Sequence, residues 1–179
     1  KVYCIRWADI NGLNGKEQCS PPKRYILQKN NHKLLNVNDL IIEISGGSPT
    51  QSTGRIAKIS TTTKERFKNP IICSNFCKAL TLKDDKLSYN FLYHWNKLYD
   101  NDVFFGYEGK TSGIKNFLFE SFANSNFLVI PNEDIKESFF ELVEKLEEKR
   151  QKNLEEIQKL DELRDWILPM LMNGQVTVS

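Results

Sequence analysis

The sequence predicts an α+β fold: a globular mixed α/β domain over residues 1–131, one long α-helix over 132–172, and a short tail over 173–179. Three observations predict it. Before Pro131, short β-branched runs alternate with turn residues, the pattern of strands and loops. From Asn132 to Leu168 there is no Gly or Pro, and Glu, Lys, Leu and Gln dominate, all good helix formers. Charge changes at the same place. Residues 133–165 carry 12 Asp/Glu against 7 Lys/Arg, a net of −5, whereas residues 1–132 carry 18 basic against 11 acidic side chains, a net of +7.

Taken in order, residues 40–45 (LIIEIS) follow Asn38-Asp39 and read as a buried strand, broken by Gly46-Gly47-Ser48-Pro49. Residues 55–60 (RIAKIS) alternate apolar and polar and read as a second strand. Residues 71–74 and 77–82 read as two more. In 89–99 (YNFLYHWNKLY), Leu92, Trp95 and Tyr99 fall at helical spacing. Residues 126–130 read as a short final strand.

The helix begins well. Asn132 is a good N-cap, and Glu133 and Asp134 favour the positive end of the helix dipole. Phe139, Val143, Leu146, Ile157, Leu160, Ile167 and Leu171 follow the 4,3 spacing of a coiled-coil seam. The same register puts Arg150, Asn153 and Arg164 in the seam, with Leu154 and Leu163 beside it. Pro169 is expected to end or kink the helix, and Asn173-Gly174 to cap it. About 37 residues give a rod roughly 55 Å long. One small domain cannot bury such a stripe along its whole length. The helix is therefore expected to form an antiparallel coiled coil with a second long helix, in the same full-length chain or in a dimer. The competing expectation is a helix folded back over its own domain.

Composition excludes several classes. With 40% hydrophobic and 11% aromatic residues the chain is globular, not disordered. No apolar run approaches the roughly 20 residues that span a bilayer. The N-terminus shows no signal-peptide apolar region and no starting Met, and so reads as a fragment or trimmed product. Cys4, Cys19, Cys73 and Cys77 form no C-x-x-C pair and read as buried free thiols, with no metal site, in keeping with the cytoplasm. No phosphate loop, adenine-holding Asn-Pro-Pro-Tyr motif or His-centred triad occurs, and no catalytic residue is expected. The basic excess of residues 1–132 suits a polyanionic partner and equally suits an ordinary solvated surface.

The segment from Ile157 through Leu160, Leu163, Trp166-Ile167-Leu168-Pro169-Met170-Leu171-Met172 to Asn173-Gly174-Gln175-Val176 resembles the conserved region of type I restriction–modification specificity subunits, which close a long helix with a Leu-Leu-Pro-x-Leu-Met-x-Gly-type tail. Three further stretches resemble a target recognition domain of that family. They are Asp39-Leu40-Ile41-Ile42 with Gly46-Gly47-Ser48 and Gly54-Arg55-Ile56-Ala57-Lys58-Ile59; Ser74-Asn75-Phe76 with Phe91-Leu92-Tyr93; and Gly109-Lys110-Thr111-Ser112-Gly113-Ile114-Lys115-Asn116. Where the family often has a Pro-Pro-Leu-x-Glu-Gln turn before its helix, this chain has Ile130-Pro131-Asn132-Glu133-Asp134-Ile135.

The resemblance implies sequence-specific recognition of one half of a bipartite DNA target. It implies one recognition domain and one long helix, about half of a usual specificity subunit and more in keeping with its C-terminal half. The implied partners are double-stranded DNA, the modification (methyltransferase) subunits, the restriction subunit and a second long helix, with no membrane. No cofactor belongs to this chain, since S-adenosylmethionine would bind the modification subunit. The alternatives are a coiled-coil adaptor that does not bind DNA, and the recognition part of a fused restriction–methylation enzyme.

Two loops are the expected DNA contacts. In 46–55 (GGSPTQSTGR), Gly47 permits close backbone approach, and Ser48, Thr50, Gln51, Ser52 and Thr53 offer small hydrogen-bonding groups. Arg55 can pair bidentately with phosphate or guanine, and Gln51 can read an adenine edge. In 110–116 (KTSGIKN), Lys110 and Lys115 suit phosphate, while Thr111, Ser112 and Asn116 suit phosphate or base edges. Lys23, Arg24 and Lys58 are secondary backbone contacts. The plainer expectations are a flexible hydrophilic loop and a capped turn.

Overall fold

The computed structural model describes residues 1–46, 48, 50–111 and 113–175, without the side chains of Lys110 and Thr111. Gly47 and Ser112, both expected DNA contacts, and residues 176–179 of the expected tail lie outside the described residues. The fold is mixed α and β, with small sheets and a long C-terminal helix.

Nine strands are described: β1 (Val2–Ile5), β2 (Lys23–Arg24), β3 (Leu40–Glu43), β4 (Ser45–Gly46), β5 (Ile56–Lys58), β6 (Ile71–Cys73), β7 (Cys77–Leu80), β8 (Glu108–Thr111) and β9 (Ile114–Phe117). The α-helices are α1 (Ile10–Leu13), α2 (Thr61–Glu65), α3 (Ser88–Asp100), α4 (Phe119–Ser125) and α5 (Glu133–Met172). The strands form three small sheets, in the orders β2-β1-β6, β5-β3-β7 and β4-β9-β8. Among the described pairings, β1 with β6 is parallel and the rest are antiparallel.

β3 organises the core. Its side chains alternate between faces, as a strand requires. Ile41 packs with Ile5, Ile10, Leu13, Ile59 and Ile71, while Leu40 and Ile42 pack with Trp95, Phe104, Phe117 and Phe122 on the other face. Both faces are covered, so the strand reads as the unbroken apolar run Leu40-Ile41-Ile42. The expected strand over 40–45 stops at Glu43. The chain turns at Ile44, and β4 leaves to pair with β9 of another sheet.

Residues 126–130 differ from expectation. They join no strand, and Phe127 is 87% exposed. Their apolar sequence is strand-like, but no described sheet edge pairs with them. The expected loop 110–116 is instead most of a hairpin, β8 to β9, turning at Gly113 with φ +82°. Cys73 and Cys77 lie on the two successive strands expected there, and all four cysteines are free, Cys77 buried and the other three half-buried.

α5 starts where expected, with the Asn132 carboxamide oxygen accepting from the Ile135 amide at 3.0 Å. At 40 residues it is roughly 60 Å long. Pro169 does not end it. A proline removes one intrahelical donor, and in the last exposed turn water can satisfy the freed carbonyl. The helix closes at Asn173-Gly174, where Gly174 takes φ +66°.

The first half of α5 lies on the domain. Phe140 stacks against Tyr89 with ring centroids 5.3 Å apart. Lys136 donates to Asp84 at 2.5 Å, and Lys86 pairs with Glu137. Gln151, 1% exposed, donates to the Leu13 carbonyl at 3.2 Å and accepts from Arg66 at 2.8 Å. The expected seam is a different face, about 100° further round at 100° per residue. On it Leu146, Ile157 and Leu160 are exposed, while Phe139, Val143, Ile167 and Leu171 are half-buried. One face of the helix therefore folds back on its own domain, and a second apolar stripe remains open.

Candidate nucleic-acid interface

The two expected loops meet. β4, at the start of the first loop, pairs with β9 of the hairpin, and Ser45 Oγ donates to Asn116 Oδ1 at 2.7 Å. The Thr53 amide and hydroxyl both donate to Glu108 Oε1, at 2.7 and 3.1 Å. The other oxygen of Glu108 takes the Lys115 ammonium at 3.0 Å, and Lys115 also donates to the Gln51 carbonyl at 3.3 Å. Phe105 lies under that ammonium, 4.7 Å from ring centroid to nitrogen. One buried acid–base pair thus fastens the root of the 46–55 loop to the hairpin.

The parts of the loops divide by exposure. Thr50 and Gln51 are exposed and Ser48 is half-buried, with Ser48 and Thr50 hydroxyls 3.4 Å apart. Gly113 and Ile114 are exposed at the hairpin tip. Ser52 and Thr53 are buried, and the Ser52 carbonyl accepts from the Tyr99 hydroxyl at 3.3 Å. For Lys110 and Thr111 only the backbone is described, paired with Lys115 and Ile114.

The cations are not where loop chemistry placed them. Arg55 makes a bidentate pair, but with Glu43, at 2.8 and 3.0 Å, and its guanidinium sits 5.5 Å from the Trp7 ring. Burial works against this cation, but the hydrogen bonds and charge of Glu43 outweigh it and raise its pKa. Lys58 is buried beneath α5. Its ammonium lies 3.5 Å from the Tyr89 ring centroid and 3.7 Å from Glu144. Burial lowers its pKa, with Glu144 opposing. Arg55, Lys58 and Lys115 therefore carry charges matched inside the fold by Glu43, Glu144 and Glu108. Lys23 and Arg24, by contrast, are exposed on the edge strand β2.

Sequence reasoning overlooked the aromatic surround of this site. Trp7, Phe76 and Phe105 are exposed. Trp7 and Phe105 belong to short 3-10 turns whose apolar residues follow neither a 2.0 nor a 3.6 period, so no amphipathic pattern pointed to them. Among the described residues no cluster of three or more His, Cys, Asp or Glu could hold a metal ion. No described helix is long and apolar enough to cross a membrane. Compared with known protein families and with curated proteins, the chain matches none.

Proposed function

We propose that this chain is a DNA-recognition module that reads one half of a bipartite target for a type I restriction–modification complex and performs no chemistry itself. The observation that carries the reading is the joining of the two sequence-predicted loops into one ledge. Small polar groups at Ser48, Thr50 and Gln51 stand beside a β-hairpin tip, on a root held by Thr53, Glu108 and Lys115. Base readout needs small hydrogen-bonding groups on a rigid mount, since each good base contact discriminates by about 1–3 kcal/mol only when held in register. The resemblance of the helix tail and of the loop sequences supports the same assignment.

The open stripe of α5 supports its second half: Leu146, Ile157 and Leu160 await a second long helix, in the same full-length chain or a second copy, as an antiparallel pair. The rod then sets the spacing between two half-sites, and methyltransferase and restriction subunits act on the DNA so held.

The test is methylome sequencing of cells carrying the parent chain with its modification subunit, against cells in which residues 46–55 are replaced by a Gly-Ser linker. A change in one half of a bipartite methylated motif is expected. An unchanged motif removes the loop from recognition. If deletion of the whole domain also changes nothing, an adaptor bound through the helix stripe takes its place.

A further inference from the structure

The recognition reading leaves an electrostatic gap. Duplex DNA is held largely through its phosphates, and half to two-thirds of protein–DNA hydrogen bonds go to phosphate and sugar. Yet of the five described cations expected to contact DNA, Arg55, Lys58 and Lys115 are matched by carboxylates of the fold, and only Lys23 and Arg24 stand exposed. The basic excess of the domain must lie elsewhere.

It is concentrated in one segment. From Gln18 to Asn38 the chain has no carboxylate, and residues 23–33 (KRYILQKNNHK) hold four Lys/Arg, one His and three side-chain amides. Two turns of structure present them: β2, the free edge of the first sheet, and a 3-10 helix over Gln28–Lys33 with no buried residue. Lys23, Arg24, Lys29 and Lys33 are all exposed, and none makes an ion pair among the described residues. Arg24 reaches only the Lys23 carbonyl, at 3.0 Å, and the Lys23 ammonium rests 5.6 Å from the Tyr3 ring. Tyr25 stands 83% exposed in their midst. Four exposed cations on one short segment make a local positive surface that suits a polyanion.

We infer that residues 23–33 are a phosphate-backbone contact surface for duplex DNA, with Lys23, Arg24, Lys29 and Lys33 neutralising phosphates and the Tyr25 hydroxyl donating to one. This rests on the DNA reading proposed above. It differs from the two loops in role: the loops carry small polar groups for base edges, the segment carries charge and no sequence preference. An acidic helix is the competing partner, since residues 133–165 carry a net of −5. Duplex DNA fits better because the exposed side chains of the segment are mostly amides and cations, with Tyr25 and Leu27 its two large exposed apolar groups.

The test compares the 179-residue chain with the Lys23→Gln/Arg24→Gln/Lys29→Gln/Lys33→Gln variant on mixed-sequence duplex DNA. Binding is measured by anisotropy across a salt series. Four lost phosphate contacts should flatten the slope of log K against log salt by about 3.6. Between roughly 0.05 and 0.2 M salt, wild type should therefore weaken about 150-fold more than the variant. These side chains are exposed, so the thermal midpoint should hold and serves as the folding control. A Lys145→Gln/Lys149→Gln variant, at exposed positions of α5, should keep the wild-type slope on the same DNA. Binding by wild type with an unchanged slope in the fourfold variant overturns this inference alone. No binding by wild type at any salt overturns it together with the DNA reading. An unchanged slope with altered sedimentation of the fourfold variant assigns the segment to a second copy's acidic helix and also overturns it.

Discussion

Removing the carboxylate of Glu43 tests the central geometric finding, that Arg55 is a structural cation. The pair is bidentate, at 2.8 and 3.0 Å, and both residues are almost fully buried. Glu43→Ala leaves a guanidinium without its counter-ion beside the Trp7 ring. Breaking one partner of a buried pair costs about 3–5 kcal/mol, because an uncompensated charge stays behind. For a chain of this size that lowers Tm by roughly 6–20 °C. Replacing both partners with apolar groups of similar volume, Glu43→Leu with Arg55→Met, should recover most of the loss, since neither desolvation penalty remains. Urea unfolding of wild type, each single variant and the double variant closes the cycle. DNA binding of the double variant should stay within a few-fold of wild type. The reasoning is refuted if Glu43→Ala costs under about 1 kcal/mol, or if Arg55→Met keeps full stability while abolishing DNA binding.

Three further outcomes follow from the same geometry. Gly54 has φ +105°, and a Cβ there would lie 2.7 Å from Phe104 Cδ2, so Gly54→Ala should cost about 1–3 kcal/mol from overpacking and a similar amount from backbone strain, read by urea unfolding. Gln151→Ala strands the Leu13 carbonyl and an Arg66 nitrogen, and should cost about 1–3 kcal/mol; amide exchange should quicken in the first half of α5 while the β3 core stays protected. Burial pushes Cys77 up to about 12 and Cys19 up to about 11. A thiol held neutral stabilises the fold fully below its ordinary value of 9.0, and that contribution fades as pH rises towards the folded values. Both thiols should therefore resist alkylation at neutral pH, Cys77 the more, and Tm should fall from pH 9 upward less steeply in Cys77→Ala.

The helix stripe was more legible than its surroundings. Asn132, the Gly-free run and the closing Asn173-Gly174 act through neighbours in sequence, so α5 could be read nearly to its ends. Leu40-Ile41-Ile42 and Trp95 were legible for the same reason, since burial on both faces or on one helical face writes itself into local hydropathy. β1 and β2 were missed: β2 is two residues long, and its register is fixed by pairing with Val2 and Tyr3 far back in the chain. Residues 126–130 show the reverse error, for a β-branched run has strand propensity wherever it sits but becomes a strand only beside a partner edge.

The site itself was half legible, and the reason lies in charge. A cation's sequence neighbours say how exposed its loop is but not which acid will meet it. Arg55 sits in a Ser/Thr/Gly-rich loop and reads as a phosphate ligand, yet Glu43, twelve residues back, lies across the strand pair from it. Glu108 does the same for Lys115 and Glu144 for Lys58, the latter from a different element 86 residues away. The 23–33 segment escapes this because no carboxylate occurs for twenty-one residues around it and, among the described residues, no distant one pairs with its cations. Where a long acid-free stretch is also an exposed edge, its net charge is a surface property and can attract a polyanion. Where acids are threaded through the strands beneath, the same residue types become internal struts. The fold thus separates two uses of one composition: matched charge fastens the 46–55 loop to the hairpin, while the charge of 23–33 stays at the surface, where under the proposed function it would meet phosphates.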